Sequence, residues 1–393
     1  MTHQIIISKD KRTVFLIPQS VLKPVCSATS NTERRGDIVP VVMENNSSIS
    51  SVITSAVPNI TIDPLSPVNM HIYFLLLTQN VILAKNIVFP LQILLGVFGN
   101  VMTIIIVRRF RTASGKSATE PYFVVMAVMD LSVVLMGTLG HWIQSATGFY
   151  LAETHDAVCK SVMFVRNAGS ASSAWILVAM TTQRAVSVAW PHRVNVLCTP
   201  RRSWWTILTI VMFFSLTYSH MLYGVGIVPS KGHACTLVSR SYELFLRNIW
   251  LRIDTFLFSL LPFACLFLSN SVLVLKLRRS VKDAGDGLTT TNTQQASRER
   301  NANSITLTVT VVSLVFVVLT SPTAFYNFFT FVSPKAYRTD VNNNNLAFRL
   351  FLSDVFYILV YFNYSVNFYL YCLTGERFRR KFREIMCGCV VQS

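Results

Sequence analysis

Apolar positions in this chain fall in long runs broken by short polar stretches. Seven of these runs reach the roughly 20 residues that cross a hydrocarbon core of about 30 Å, at 81–107, 121–145, 159–189, 203–228, 247–277, 304–332 and 350–373. The third, fifth and sixth are the longest, which permits tilt or helix extending beyond the bilayer. The pattern predicts an all-α integral membrane fold, a seven-transmembrane helix bundle at 81–373, with an outer tail at 1–80 and a short amphipathic eighth helix and tail at 374–393.

Composition agrees. Of 393 residues, 52% are hydrophobic and 13% charged, against about 25% charged in a typical soluble domain. The basic residues sort between alternate gaps. Arg108, Arg109, Arg111 and Lys116 follow span one; Arg193, Arg201 and Arg202 follow span three. Lys276, Arg278, Arg279, Lys282, Arg298 and Arg300 follow span five, and Arg377, Arg379, Arg380, Lys381 and Arg383 follow span seven. The other gaps hold only Lys231 and Arg240, then Lys335, Arg338 and Arg349. Short loops rich in Lys and Arg stay cytoplasmic, so the amino terminus is expected outside a plasma membrane and the carboxyl terminus inside. The net charge of +17 is thereby a topology signal and not a nucleic-acid surface.

The leader fits an outside location. Asn45, Asn46 and Asn59 each begin an Asn-x-Ser/Thr sequon in a Ser- and Asn-rich segment, as expected for a glycosylated, disordered tail. The first two overlap, so one of that pair is expected to be used. "TVFLIPQSVL" is too short and proline-containing to read as a signal peptide, which leaves the first span as the signal anchor. Residues 1–43 carry no pattern that we interpret.

Two cysteines face outward near span ends, Cys159 and Cys235, where a disulfide would tie a loop across the bundle mouth in an oxidising compartment. Cys387 and Cys389 follow the basic segment and invite palmitoylation, with plain thiols as the alternative. No His/Cys spacing suggests zinc.

Polar groups inside the spans are more informative, because an ionisable group at the bilayer centre costs at least about 2.5–3.5 kcal/mol. Asp130 sits in "AVMDLSVV", Ser173 in "GSASSA", Asn100 in "FGN", and Asn363 and Asn367 in the seventh span. Together they make an oxygen-rich nest for an allosteric sodium ion, or a set of interhelical hydrogen bonds without one. Four histidines, His141, His155, His220 and His233, read as outer-surface residues.

The order of these features resembles the rhodopsin-like (class A) G protein-coupled receptors over roughly 81–386. The residues that carry the likeness are "GNV" in span one, "AVMDL" in two, Cys159 to Arg184 in three, "SLLPF" in five, "LTSP" in six and "NYSVNFYLYCLTGERFRRKF" from span seven onward. "FVVLTSP" and "NFYLYCLTGERFRRKF" look most like invertebrate neuropeptide receptors of the FMRFamide type. The resemblance implies a disulfide between Cys159 and Cys235, and roles in activation and G protein coupling for Arg184, Pro322, Asn367 and Tyr371. It also implies a second helix proline at Pro262 and an anchor for the eighth helix at Phe378. Several positions depart from the family pattern. "TQRAV" puts Gln183 where an acid normally pairs with the arginine, which predicts raised basal activity or restraint by other contacts. Thr320 replaces the usual tryptophan, Asn270 a tyrosine and Phe368 a proline.

Eighteen residues separate Arg166 from Arg184, five turns at about 3.6 residues each, so both face the bundle interior from opposite ends of span three. Arg166 suits a carboxylate, carbonyl or amide oxygen. With Asp254, Tyr357 and Tyr361 it makes a pocket for a peptide with a basic residue and an amidated or carboxylate end; the alternative is that Arg166 and Asp254 pair with each other. The expected function is a receptor that transduces an extracellular neuropeptide to a heterotrimeric G protein, with arrestin, a receptor kinase and the bilayer as further partners. A non-peptide chemosensory receptor of the same fold and a transporter are the alternatives. We see no internal repeat of the kind transporters show, and no catalytic motif of an enzyme.

Overall fold

The computed structural model describes residues 3–8, 14–18, 38–42, 67–114, 117–229, 234–285, 293–332 and 343–387. Residues 1–80 with 341–351 form one compact unit, and residues 81–340 with 352–393 another. In the first, β1 (His3–Ser8) pairs antiparallel with β2 (Val14–Pro18) on one side and β3 (Ile38–Val42) on the other, Ile5 opposite both Leu16 and Val41. Asn45, Asn46 and Asn59 lie outside the described residues, as does most of the segment expected to be disordered.

The rest is helical. The long helices are α1 (Pro67–Ser114), α2 (Glu120–Thr147), α3 (Asp156–Ala189) and α4 (Pro200–Tyr218). They continue with α5 (Arg240 to Gly285 in consecutive α and π segments), α6 (Thr293–Val332) and α7 (Asn343–Thr374), and α8 (Glu376–Cys387) follows as a short helix. Local chemistry sets their ends. Thr199 accepts from the Arg202 amide at 3.3 Å with Pro200 just inside, and Ser239 accepts from the Tyr242 amide at 3.2 Å. Both are side-chain caps for amides that lack a helical partner. Gly148 ends α2 at φ 73°, a left-handed conformation that costs glycine little.

Among the described residues five helical segments are long and apolar enough to cross a membrane. Helices α3 and α7, of 34 and 32 residues, have the length but more polar content. For α3 the reason is position. It packs against α2, α4, α5 and α6, so it meets protein rather than lipid, and Ala168, Gly169, Ala171, Ser172, Ser173 and Ala174 lie buried where helices approach closely. On α4 the opposite holds: Trp205, Leu208, Met212, Phe213 and Leu216 are exposed, an apolar coat suited to lipid.

Two boundaries differ from the sequence expectation. The fourth span stops short of 228, because Val225–Val228 forms β4, a strand paired with β5 (Ala234–Leu237) in an antiparallel hairpin. The polar stretch after the fifth span is largely helical backbone, since α5 runs to Gly285 and α6 begins at Thr293. Helix formers such as Gln, Ala, Arg and Glu in "TQQASRERNA" favour that extension.

The core lies between the helices. Tyr371 packs edge-on against Phe123 at 4.9 Å and at a tilt against Phe378 of α8 at 5.2 Å. Phe368, in place of the expected proline, is buried edge-on against Phe98 and Phe382. Gly375 makes the α7–α8 corner, where a Cβ would come within 2.7 Å of the Tyr371 carbonyl. Arg379 of α8 folds back to donate to the Cys372 and Leu373 carbonyls at 3.0 and 2.7 Å, satisfying acceptors that α7 leaves open.

Candidate functional site

A cavity of about 240 Å³ opens among α3 to α7, and Arg166, Asp254, Tyr357 and Tyr361 all line it. Arg166 Nη1 lies 3.5 Å from His141 Nε2, and its Nη2 is 3.2 Å from Met163 Sδ. The Tyr357 and Tyr361 rings stack at 6.2 Å, and His141 sits 5.7 and 5.6 Å from them. Across the cavity, Tyr218 donates to Asp254 Oδ1 at 2.5 Å. Arg166 and Asp254 do not pair, and neither has an ion-pair partner among the described residues. The alternative left open by the sequence, a direct bridge between them, is therefore not formed.

His141 corrects the surface reading of the histidines. It stands half-buried beside Arg166 and two tyrosines. A signal was there: it follows Asp130 by eleven residues, close to three helical turns, and so shares its inward face. His220 is also half-buried, with Nδ1 2.7 Å from the Tyr242 hydroxyl, whereas His155 is exposed and caps α3 by accepting from the Ala157 amide.

Below the cavity the polar residues converge. Asp130 accepts from Ser173 through one oxygen and from Asn367 Nδ2 at 2.8 Å through the other, so α2, α3 and α7 meet on a single buried carboxylate. Asn100 donates to the Tyr364 carbonyl at 2.9 Å and ties α1 to α7. Asn363 is buried one turn before Asn367. Asp130 and Ser173 supply oxygens of the kind a sodium ion takes, while Asn367 presents its amide nitrogen and would have to turn over to join them.

At the opposite end of α3, Arg184 donates to the Thr119 hydroxyl. Gln183 meets Ser203 of α4 at 3.2 Å. Asn270 accepts from Ser313 at 3.0 Å and joins α5 to α6, and Thr320 donates to its own helix at Phe316. Pro322 sits inside α6 without ending it. The Tyr371 hydroxyl is buried with no hydrogen-bond partner among the described residues. Cys159 and Cys235 form a disulfide, joining the start of α3 to the β-hairpin. The side chains of Cys387 and Cys389 lie outside the described residues.

The sequence model of the seven-transmembrane receptor family, rhodopsin type, matches residues 99–374. The chain belongs to this family. The receptor is 27% identical to neuromedin-U receptor 2 of Mus musculus over 329 residues, covering 77% of this chain and 75% of that one. It is 25% identical to the thyrotropin-releasing hormone receptor of Gallus gallus over 315 residues, 75% and 76% of the two chains. A putative G-protein coupled receptor of Caenorhabditis elegans is 22% identical over 329 residues, 77% of this chain and 73% of that one. Membership makes the protein a receptor, not an enzyme.

Proposed function

We propose that the receptor binds an extracellular peptide in the α3–α7 cavity and passes the event to a heterotrimeric G protein. The observation that carries this reading is a cavity holding a guanidinium and a carboxylate that leave each other unpaired. Burying a charge without a counter-charge is costly, so Arg166 and Asp254 are assigned to opposite poles of a ligand, an acceptor end at Arg166 and a basic group at Asp254. Tyr357 and Tyr361 supply the aromatic wall. Relatives named for neuromedin U and thyrotropin-releasing hormone support a secreted signalling ligand.

The ligand acts by preferring one of two packings of the bundle. In the signalling one, the inner end of α6 moves away from α3 and exposes Arg184 to the G protein, with Asn367, Tyr371 and Pro322 in the moving region. The nest of Asp130, Ser173, Asn363 and Asn100 holds a sodium ion in the quiet packing. The amino terminus lies outside the plasma membrane and carries glycans at Asn45 or Asn46 and at Asn59; α8 lies in the inner interface, anchored through Cys387 and Cys389. Arrestin and a receptor kinase act on the signalling form.

The test is Arg166→Glu, assayed against a panel of amidated peptides with a promiscuous G protein reporter. Response is expected to disappear with surface expression intact. An unchanged dose–response curve removes Arg166 from the ligand site, and response only to non-peptide compounds favours a chemosensory receptor.

A further inference from the structure

The residue beside Arg184 is a glutamine, so the arginine has no neighbouring carboxylate to hold it; the junction before α2 does so instead. Thr119 occupies the N-cap position of α2, where a threonine hydroxyl ordinarily accepts from an amide of the first turn. Here it makes no such cap. The hydroxyl is turned to Arg184 and accepts from its Nη2, and Thr119 is buried. Immediately before it, the Ala118 carbonyl accepts from Ser203 of α4 at 2.7 Å.

Ser203 has one hydroxyl proton and three oxygens within reach: the Ala118 carbonyl, the Thr199 carbonyl at 3.1 Å and the Gln183 carboxamide at 3.2 Å. Donation to Ala118 is the shortest. The Gln183 carboxamide oxygen lies beside the same hydroxyl as a further acceptor. Gln183 and Arg184 are thus both tied, through Ser203 and Thr119, to one two-residue segment at the inner end of α2.

We infer that Thr119 is a positioning residue that latches Arg184 in the quiet packing, in place of an acidic neighbour. The latch is built to release. It is a single hydrogen bond to a neutral hydroxyl, weaker than a bond to a carboxylate would be. This rests on the G protein reading above, and three substitutions test the latch. Thr119→Val removes the acceptor at nearly constant shape, Thr119→Ser keeps it, and Thr119→Asp replaces it with a charged acceptor that grips Arg184 more firmly.

The full-length receptor in lipid nanodiscs, without ligand, is mixed with a panel of purified G proteins and nucleotide exchange is measured at equal receptor density. Expected is a severalfold rise for Thr119→Val, the wild-type rate for Thr119→Ser and a lower rate for Thr119→Asp. A Thr119→Val rate equal to wild type overturns the latch, and so does an Asp variant at the wild-type rate. If no variant drives exchange on any G protein, the coupling reading fails and a second measurement still decides the latch. Spin labels introduced by Arg193→Cys and Leu307→Cys, at exposed inner positions of the chain, are expected to show a longer distance population in Thr119→Val. An unchanged distribution overturns the proposal.

Discussion

At the scale of the residue, the chemistry of this receptor lies in buried polar groups whose partners are few and neutral. Asp254 is the sharpest case, a carboxylate held by one phenol and facing a cavity. A hydrogen bond to a charged group contributes about 1.5–3 kcal/mol, so Asp254→Asn is expected to lower the potency of a basic agonist by about one to two orders of magnitude. A ligand analogue lacking its basic group should lose nothing further in the variant. Dose–response curves for both pairs give the answer, and equal losses for the two ligands would place the basic group elsewhere. Asp130 differs because both its oxygens already accept from protein donors, which marks it as a junction of helices.

At the scale of the element, the outer hairpin is tied to the start of α3 twice. The disulfide joins Cys159 to Cys235 in β5, and Asp156 Oδ1 accepts from the Ile227 amide of β4 at 3.0 Å. Its other oxygen pairs with Lys160 at 2.6 Å. The Lys160 hydrogen bond, then the Ile227 amide, hold the Asp156 carboxyl below its ordinary value of 3.8. A group with a depressed folded pKa contributes stability above the unfolded value and loses it as the pH falls through the folded one. The tether is therefore expected to hold at neutral pH and to weaken only below about pH 4. Hydrogen exchange at the Ile227 amide, corrected for its intrinsic rate, should stay slow down to that range, and Asp156→Ala should make it fast already at pH 7. Slow exchange in the alanine variant would show that the disulfide alone holds the strand.

At the scale of the molecule, a bundle with exposed leucines and tryptophans on its outer helices and polar junctions inside is inverted relative to a protein in water. Lipid makes the outside as apolar as the core, so packing of small residues and hydrogen bonds between helices decide the arrangement. The basic gaps predict that an epitope before α1 is reached from outside intact cells, while one after α8 needs permeabilisation. Both ends on one side of the bilayer would break the assignment of seven crossings. With that topology, the cavity among α3 to α7 and the Arg184 region lie near opposite ends of α3, and this one central helix links them.

Much of this architecture was legible without coordinates, because lipid imposes a length and a hydrophobicity on every crossing and a charge bias on every loop. Those constraints act locally, and they located seven spans, Asp130 at a costly depth, and Arg166 and Arg184 on one inward face. Partner choice is not local. That Arg166 sits with His141 rather than Asp254, that Asp254 takes Tyr218, and that Asn270 replaces a tyrosine by bonding Ser313, depend on which helices neighbour one another and at what rotation. The same holds for Arg184: sequence showed that its acidic neighbour was missing, and only the packing of α2 and α4 against α3 supplied Thr119 to Arg184 and Ser203 to Gln183. Hydrophobic pattern specifies what enters the membrane, whereas hydrogen-bond geometry, sensitive to tenths of an ångström, is settled only once the helices have packed.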